Sequence, residues 1–340
     1  MDKNKKNRLE EKLLFLSPSP HQKSGESVPK IMWTVVITLI PASAMGIYFF
    51  GLRALWVMLV SILATATTEA IIQLLRKQRV TVYDGSAVIT GLLLALVLPP
   101  AIPFYAVIIG GIFAIGIGKQ VFGGLGYNIF NPALIGRAFL QASFPVKMTT
   151  WTPTILQQKS WMNAHKVSQA TSNAVDAITA ATPLGSFKFE KTLTPYIDLL
   201  WGNVGGCIGE TSAIAIIIGG LVILFLKYAD WRIPVSYLGT VAVFGGLFWL
   251  INPQQYPDPL FHLLSGGLML GAFFMATDMV TSPITPLGSW IFGIGAGVIL
   301  IIIRLFGGLP EGVMYSILLM NSVTPLINRY TRPRIFGERK

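Results

Sequence analysis

The sequence predicts an all-α, polytopic membrane protein of about ten transmembrane helices, and three observations carry that expectation. Only 12% of the 340 residues are charged while 53% are apolar, and the mean hydropathy is +0.62, far above that of a water-soluble domain. Apolar stretches long enough to cross hydrocarbon recur along the chain, the first of them near Ile31. Lys and Arg fall in the gaps between those stretches, where a membrane protein places them.

Apolar runs bounded by charge, Pro and Gly predict five helices near 31–50, 54–75, 85–98, 103–118 and 131–145. Five more follow near 211–227, 233–251, 260–279, 285–305 and 312–327. The chain thus divides into an N-terminal tail (1–30), a first five-helix membrane half (31–145), a long connection (146–210), a second five-helix half (211–327) and a C-terminal tail (328–340). The tail before Ile31 lacks a signal-peptide cleavage pattern, so the first helix stays as an anchor. Ten crossings put both termini on one side. Basic residues make that side the cytoplasm, since the inner segments collect Lys3, Arg8, Lys30, Arg76, Lys77, Lys119, Lys227, Arg232 and the C-terminal cluster. Arg53 and Arg304 are expected in short outer turns. The 146–210 connection is too long for a turn and lies outside.

Two segments, 85–98 and 131–145, are short for a full crossing and predict broken or half helices, whose N-termini would offer positive dipole ends inside the membrane region. The halves also resemble each other. Val121 to Phe139 (VFGGLGYNIFNPALIGRAF) lies beside Leu305 to Val323 (LFGGLPEGVMYSILLMNSV), each after a Gly-rich apolar helix. Five crossings per half would insert the two copies with opposite orientation, an inverted repeat.

A net charge of +11 does not make nucleic acid an expected partner, because the basic residues border membrane spans and form no patch of their own. The lipid bilayer is the expected surroundings. Cys207 is the single cysteine, so the chain alone supplies neither a disulfide nor the four thiolates of an ordinary iron–sulfur cluster. His21, His165 and His262 lack metal-ligand spacing and are assigned structural or surface roles, so no metal site is expected.

Among intramembrane ionisable groups, Glu69, Arg137 and Asp278 are the most deeply placed, and such groups are functional candidates because burying them is costly. Glu69 and Asp278 are the ion-pathway candidates. Asp84 and Glu210 stand at helix starts, where an ordinary cap explains them as well as a functional role does. Lys119 and Arg137 flank a Gly-rich stretch with Gly123 and Gly124, whose backbone amides are suited to approach a phosphate or a planar ring.

The outer connection holds VSQATSNAVDAITAATPLG (Val167 to Gly185), an accessible hydroxyl-rich loop that by composition alone reads as a linker. Asp176, Thr179, Ala180, Ala181 and Thr182 resemble the flavinylation motif D-x-x-(S/T)-G-A-T, with Ala180 in place of the usual glycine. Further segments share in the resemblance: SPSPH at Ser17, SGES at Ser24, YDGSAVITGLLLALVLPP at Tyr83 and GKQVFGGLGYNIFNPALIGRAF at Gly118. Over nearly its whole length the chain resembles the family that contains the D subunits of Rnf complexes and the B subunits of sodium-pumping NADH:quinone oxidoreductases. Its short length and its loop favour the Rnf branch.

That resemblance implies a flavoprotein subunit of an ion-translocating oxidoreductase working between ferredoxin and NAD, with no activity as an isolated chain. It implies FMN joined to Thr182 by a phosphoester, with Asp176, Thr179 and Ala181 completing the attachment motif. A second, noncovalent flavin, riboflavin, is implied within the helices, and Lys119, Gly123, Gly124 and Arg137 are its candidate contacts. Partners implied are the covalent flavoprotein G subunit, the membrane A and E subunits and an extracytoplasmic flavin transferase. The implied location is the bacterial or archaeal cell membrane, and the transported ion is sodium or a proton. A competing reading, a secondary transporter built on an inverted repeat without flavin, explains the helices but leaves the loop unexplained.

Overall fold

The computed structural model describes residues 25–158 and 181–333. Every regular element among them is helical. Helix α1 (Val28–Phe50) starts at Ser27, whose hydroxyl accepts from the Lys30 amide, and Pro29 occupies its first turn. Gly51, at φ +71, both ends α1 and opens α2 (Leu52–Leu75). A side chain there would strain the left-handed backbone that reverses the chain in a single residue.

Helix α3 (Ser86–Leu96) begins where Asp84 accepts from both the amide and the hydroxyl of Ser86. Its 11 residues rise only ~16 Å, about half of a ~30 Å hydrocarbon core. It is buried on nearly all sides, so its apolar sequence shows no one-sided pattern. Gly91 makes this packing feasible, since a Cβ would lie 2.4 Å from Thr65 Oγ1 and 2.7 Å from the Ile62 Cα. Helix α4 (Phe104–Ile115) runs into one π turn (Gly116–Gln120), and α5 (Pro132–Ser143) is a second half-length helix, capped by Asn131.

The connection carries α6 (Pro145–Thr149), α7 (Pro183–Glu190) and α8 (Tyr196–Trp201). Asp176 and Thr179 lie outside the described residues. The second half contains α9 (Ala213–Phe225), α10 (Arg232–Ile251), α11 (Pro259–Leu264), α12 (Leu268–Leu270, continued by a π turn Gly271–Met275), α13 (Pro286–Phe306) and α14 (Val313–Tyr330). By length and composition α1, α2, α10 and α13 are long and apolar enough to cross a membrane, while α3, α9 and α4 with its π turn are shorter apolar helices.

One expected element differs. The run 260–279 does not form a continuous helix: Ser265 is extended and Gly266 has φ +69, which breaks it between α11 and α12. Hydrophobic periodicity reports burial and is blind to a backbone reversal at a Gly pair inside an apolar run.

In the first half α2 packs on α3 and α4, and α4 on α5. In the second, α10 packs on α11 and α13, and α13 on α14. The halves meet through α1 against α9 and α5 against α14. The core between them is formed by residues such as Leu39, Leu94, Leu134, Ile216, Leu270 and Ile317.

Candidate functional site

Broken helices and π turns gather the buried charges into two clusters. The first is built on the π turn that ends α4, a local widening that directs Lys119 inward. Lys119 Nζ lies 2.7 Å and 2.9 Å from the two Glu69 carboxylate oxygens and 2.6 Å from Ser86 Oγ. Both partners are almost fully enclosed, Lys119 at 2% and Glu69 at 1% exposure. The Gln73 and Gln120 amides each donate to Glu69 Oε1 at 3.2 Å. Every acceptor and donor of the pair is therefore answered, as a buried charge requires.

Beside this pair lies a cavity between α1, α3, α5, α9 and α12. Its wall is mostly apolar with a few polar groups: Ser86, Lys119, Asn128, Asn131, Thr277 and Asp278. Asn131 Oδ1 caps α5 while its Nδ2 donates to the Met275 carbonyl, and the buried Asn128 Oδ1 has no partner. Asp278 is half-buried and is held by the Val280 amide and the Thr281 hydroxyl. Gly123 (φ +120) and Gly124 (φ +103) follow Lys119 in a turn that only glycine tolerates.

Arg137 does not belong here. It projects from α5 to the second cluster, with Nη2 2.6 Å from Glu311 Oε2 and Nη1 3.9 Å from Glu210 Oε1. The expected set of Lys119, Gly123, Gly124 and Arg137 is thus split between two places, and Asn128, Asn131 and Asp278 are the residues that join Lys119. Glu311 and its pairing with Glu210 are not visible in the sequence, since the two are distant along the chain and each follows an ordinary glycine or proline. One signal does exist: GES at Gly25 and GET at Gly209 precede α1 and α9 alike.

Arg304 is not in an exposed turn. It is buried in the last turn of α13 and donates to the carbonyls of His262 (2.6 Å) and Ser265 (3.0 Å), the groups that the break between α11 and α12 leaves without helical donors. His262 is likewise enclosed, and neither ring nitrogen has a partner.

Thr182 is the N-cap of α7. Its Oγ1 accepts from the Gly185 amide at 3.1 Å, Pro183 occupies the first helical position, and the residue is 8% exposed. The helix is anchored to the bundle by Phe187 against Phe261 and by Lys188, whose ammonium donates to the carbonyls of Leu309 (3.0 Å), Arg304 and Gly307. Partial burial holds the Lys188 pKa below its ordinary value. Next to α7 is a cavity lined by Lys188, Lys191, Tyr256, His262 and Arg304 among others. It offers cations, aromatic surface and unpaired polar groups: the two His262 nitrogens, one a donor and one an acceptor in the neutral ring, and Arg304 Nε have no partner. These groups fit an anionic phosphate and a planar heteroaromatic ring.

A membrane-embedded helical bundle with half helices, π turns and a fully enclosed ion pair is the architecture of a protein that moves charge through a membrane. Comparison with known proteins makes this specific. Residues 15–337 match the model of the NQR2, RnfD, RnfE family, and the chain belongs to that family. It is 46% identical to the D subunit of the proton-translocating ferredoxin:NAD(+) oxidoreductase complex of Clostridium ljungdahlii, over 98% of this chain and 99% of that protein. It is 46% identical to the D subunit of the Na(+)-translocating ferredoxin:NAD(+) oxidoreductase complex of Acetobacterium woodii, over 96% of each. To the D subunit of the ion-translocating oxidoreductase complex of Stutzerimonas stutzeri it is 41% identical, over 92% of each.

Proposed function

We propose that the chain is the membrane flavoprotein subunit of an Rnf-type ion-translocating electron transport complex, working between ferredoxin and NAD, with FMN joined to Thr182 by a phosphoester. The observation that carries the site is the position of Thr182 at the N-terminus of α7. A phosphate esterified to that hydroxyl lies at the positive end of the helix dipole beside the Leu184 amide, since Pro183 has no N–H and the Gly185 and Ser186 amides already bond Thr182. Lys188, Lys191, Arg304 and His262 are the groups that would hold the remainder of the flavin in the adjoining cavity. When bound, the flavin supplies electron transfer that the side chains alone lack. Because Thr182 is enclosed once α7 has docked, the transferase acts on the 159–182 segment before docking or lifts α7 away from Leu184 and Phe187.

The first cavity, with Lys119, Asn128 and Asn131 in its wall, is the proposed place for a noncovalent riboflavin; Gly123 and Gly124 follow Lys119 in the chain but are not among its lining residues. Ten crossings in two inverted halves fit the packing, and the placement of both termini in the cytoplasm rests on the basic residues. Second helix meets third and fourth, and fourth meets fifth, in both halves; the two first helices pair, as do the two fifth helices. Each half also ends its fourth helix in a buried cation that reaches the third: Lys119 to Ser86, and Arg304 to His262 and Ser265. The G, A and E subunits are the expected partners in the complex. Relatives named for protons and for sodium match equally at 46%, so the ion has to be read from local chemistry.

The test is co-expression with the flavin transferase, followed by intact mass and in-gel fluorescence of the denatured chain. Wild-type protein should carry one FMN that survives denaturation, Thr182→Ala should carry none, Thr182→Ser should retain part, and Asp176→Ala should be flavinylated more slowly. Fluorescence that persists in Thr182→Ala overturns the assignment, and peptide mapping then places the flavin elsewhere.

A further inference from the structure

The second charge cluster holds two carboxyl groups and is short of donors for one of them. Glu311, in the link between α13 and α14, uses both oxygens: Oε2 takes Arg137 at 2.6 Å and Oε1 takes the Gly267 amide at 2.8 Å. Those are the contacts of an ionised carboxylate. Glu210, in the 3₁₀ turn before α9, is poorly served. Its Oε2 meets the Cys207 amide only at 3.4 Å, and its Oε1 has no hydrogen-bond partner and lies 3.9 Å from Arg137. Its side chain is 6% exposed.

The two carboxyls are brought together by missing side chains. A Cβ on Gly267 would stand 2.8 Å from Glu311 Oε1 and 3.3 Å from Glu210 Oε1, and one on Gly206 would stand 3.0 Å from Glu210 Oε2. One oxygen of each carboxyl and the Cys207 sulfur all lie within 4.8 Å of one another. Two bare carboxylates at that separation, one of them almost wholly enclosed, repel each other and leave a lone pair of Glu210 unanswered. A single shared proton removes both costs, because the contact becomes an O–H···O⁻ hydrogen bond.

The surrounding charges do not remove the need. Arg137 is committed to Glu311, and Arg304 to the carbonyls of His262 and Ser265. The Tyr237 hydroxyl is bonded to Ser316, and Cys207 Sγ accepts from the Glu210 amide. His262 faces the cavity beside α7. A separate cavity is lined by Arg137 and Glu311 together with Gln141, Thr149 and Trp151. Glu311, at 18% side-chain exposure, stands between that cavity and the more enclosed Glu210.

We propose that Glu210 and Glu311 form a one-proton station at the end of the bundle that carries Thr182, with the proton held on Glu210 and released through Glu311 into the neighbouring cavity. In the release step the O–H bond on Glu210 breaks as one forms on Glu311, and Glu311 then passes the proton to cavity water. Arg137 follows the negative charge from Glu311 to Glu210, which its second nitrogen already approaches. It is a positioning residue for the transfer. The station stands on carboxyl geometry alone and does not depend on flavin attachment at Thr182.

The experiment is infrared spectroscopy of the full chain in lipid nanodiscs, prepared as Thr182→Ala so that its outcome is separate from flavinylation. A protonated-carboxyl C=O band should be present at neutral pH, shift in D2O, and move when glutamate carboxyls carry ¹³C. Glu210→Gln should fold normally, since its amide N–H gives Glu311 the same hydrogen bond, and should lose the band. Glu311→Gln should also lose it, because Arg137 then ionises Glu210. The proposal is overturned if no band moves with ¹³C-glutamate, if Glu210→Gln folds and keeps the band, or if exchanging choline chloride for sodium chloride at constant pH abolishes it. The last result would make the pair a sodium site.

Discussion

Replacing Lys119 by Met tests whether the Lys119–Glu69 pair is a closed electrostatic unit. The substitution preserves most of the stem volume and removes three contacts, at 2.7 and 2.9 Å to Glu69 and 2.6 Å to Ser86. Glu69 keeps the two amide donors from Gln73 and Gln120 at 3.2 Å, so its charge is left poorly balanced but not bare. Breaking one side of a buried pair costs about 3–5 kcal/mol, and the surviving amides put Lys119→Met near the lower end. Glu69→Gln leaves an unneutralised ammonium with Ser86 and one amide oxygen and should cost a similar amount. The double variant removes both charges and loses only neutral hydrogen bonds, each worth ~1 kcal/mol. It should therefore be more stable than either single variant, with a coupling of ~2–3 kcal/mol. Unfolding of the full chain in mixed micelles by SDS titration, followed by helical circular dichroism, gives the three differences. A Lys119→Met cost below ~1 kcal/mol, or a double variant equal to the sum of the singles, refutes a closed pair.

Gly91→Ala should destabilise the same preparation by ~1–3 kcal/mol through overpacking, because its Cβ would meet backbone of α2 at Ile62; wild-type stability would show that α3 does not lie against α2. Glu26 accepts from Lys30 (2.8 Å) and from the Tyr228 hydroxyl (2.6 Å), and the Lys30 hydrogen bond, followed by that of Tyr228, holds its pKa below the ordinary 4.5. Its folded pKa being the lower, the contribution of this contact to stability is complete above pH 4.5 and fades as pH falls through the lowered value; Glu26→Gln should flatten that part of the stability profile, and an unchanged profile refutes the linkage. An alkaline phosphatase fusion near Ala170 should be active, and a cytoplasmic reporter active there instead would contradict the orientation given by the basic residues. Neutral substitution of Asp278 should lower electron-driven ion transport in the assembled complex while covalent flavin stays on the chain; transport at the wild-type level would make it a structural turn residue.

What is legible in the sequence is what depends on local pattern. The half helices α3 and α5 follow from apolar runs too short to cross, and the burial of Glu69 and Arg137 follows from their position inside such runs. The break at Ser265 to Gly267 is hidden because an apolar run conceals a change of φ, although the Gly266 and Gly267 pair marks it once the backbone is known. Arg304 misleads for a related reason. As a charge beside FGGL it reads as the start of a turn, but the broken helix leaves two carbonyls that need a buried donor, and the nearest cation supplies it. Lys119 reads as the edge of an inner loop because a π turn has no periodic signature, although that turn is what rotates it onto Glu69. Pairings such as Arg137 with Glu311 arise only when the two halves meet, and no local pattern encodes them.

The two charge clusters differ in a way that bears on direction. Around Lys119 one cation meets one anion with every polar atom answered, so a change there costs the whole set of contacts at once, and such a unit favours a single arrangement. Around Arg137 one cation serves two carboxyls of unequal satisfaction, with a cavity on one side and the Thr182 helix on the other: Leu184 of α7 sits 2.8 Å from where a Gly266 Cβ would stand, and the adjoining Gly267 donates to Glu311. Two arrangements of that cluster differ by one proton and a short swing of a guanidinium, a small enough difference for a neighbouring charge to bias. A negative charge gained beside α7 would act on Arg304 and on Glu311 through the same broken segment, Ser265 to Gly267, and would favour protonation of the dyad over its release. The end of the bundle that bears Thr182 is therefore the end built to respond, and the Lys119 end is the one built to hold.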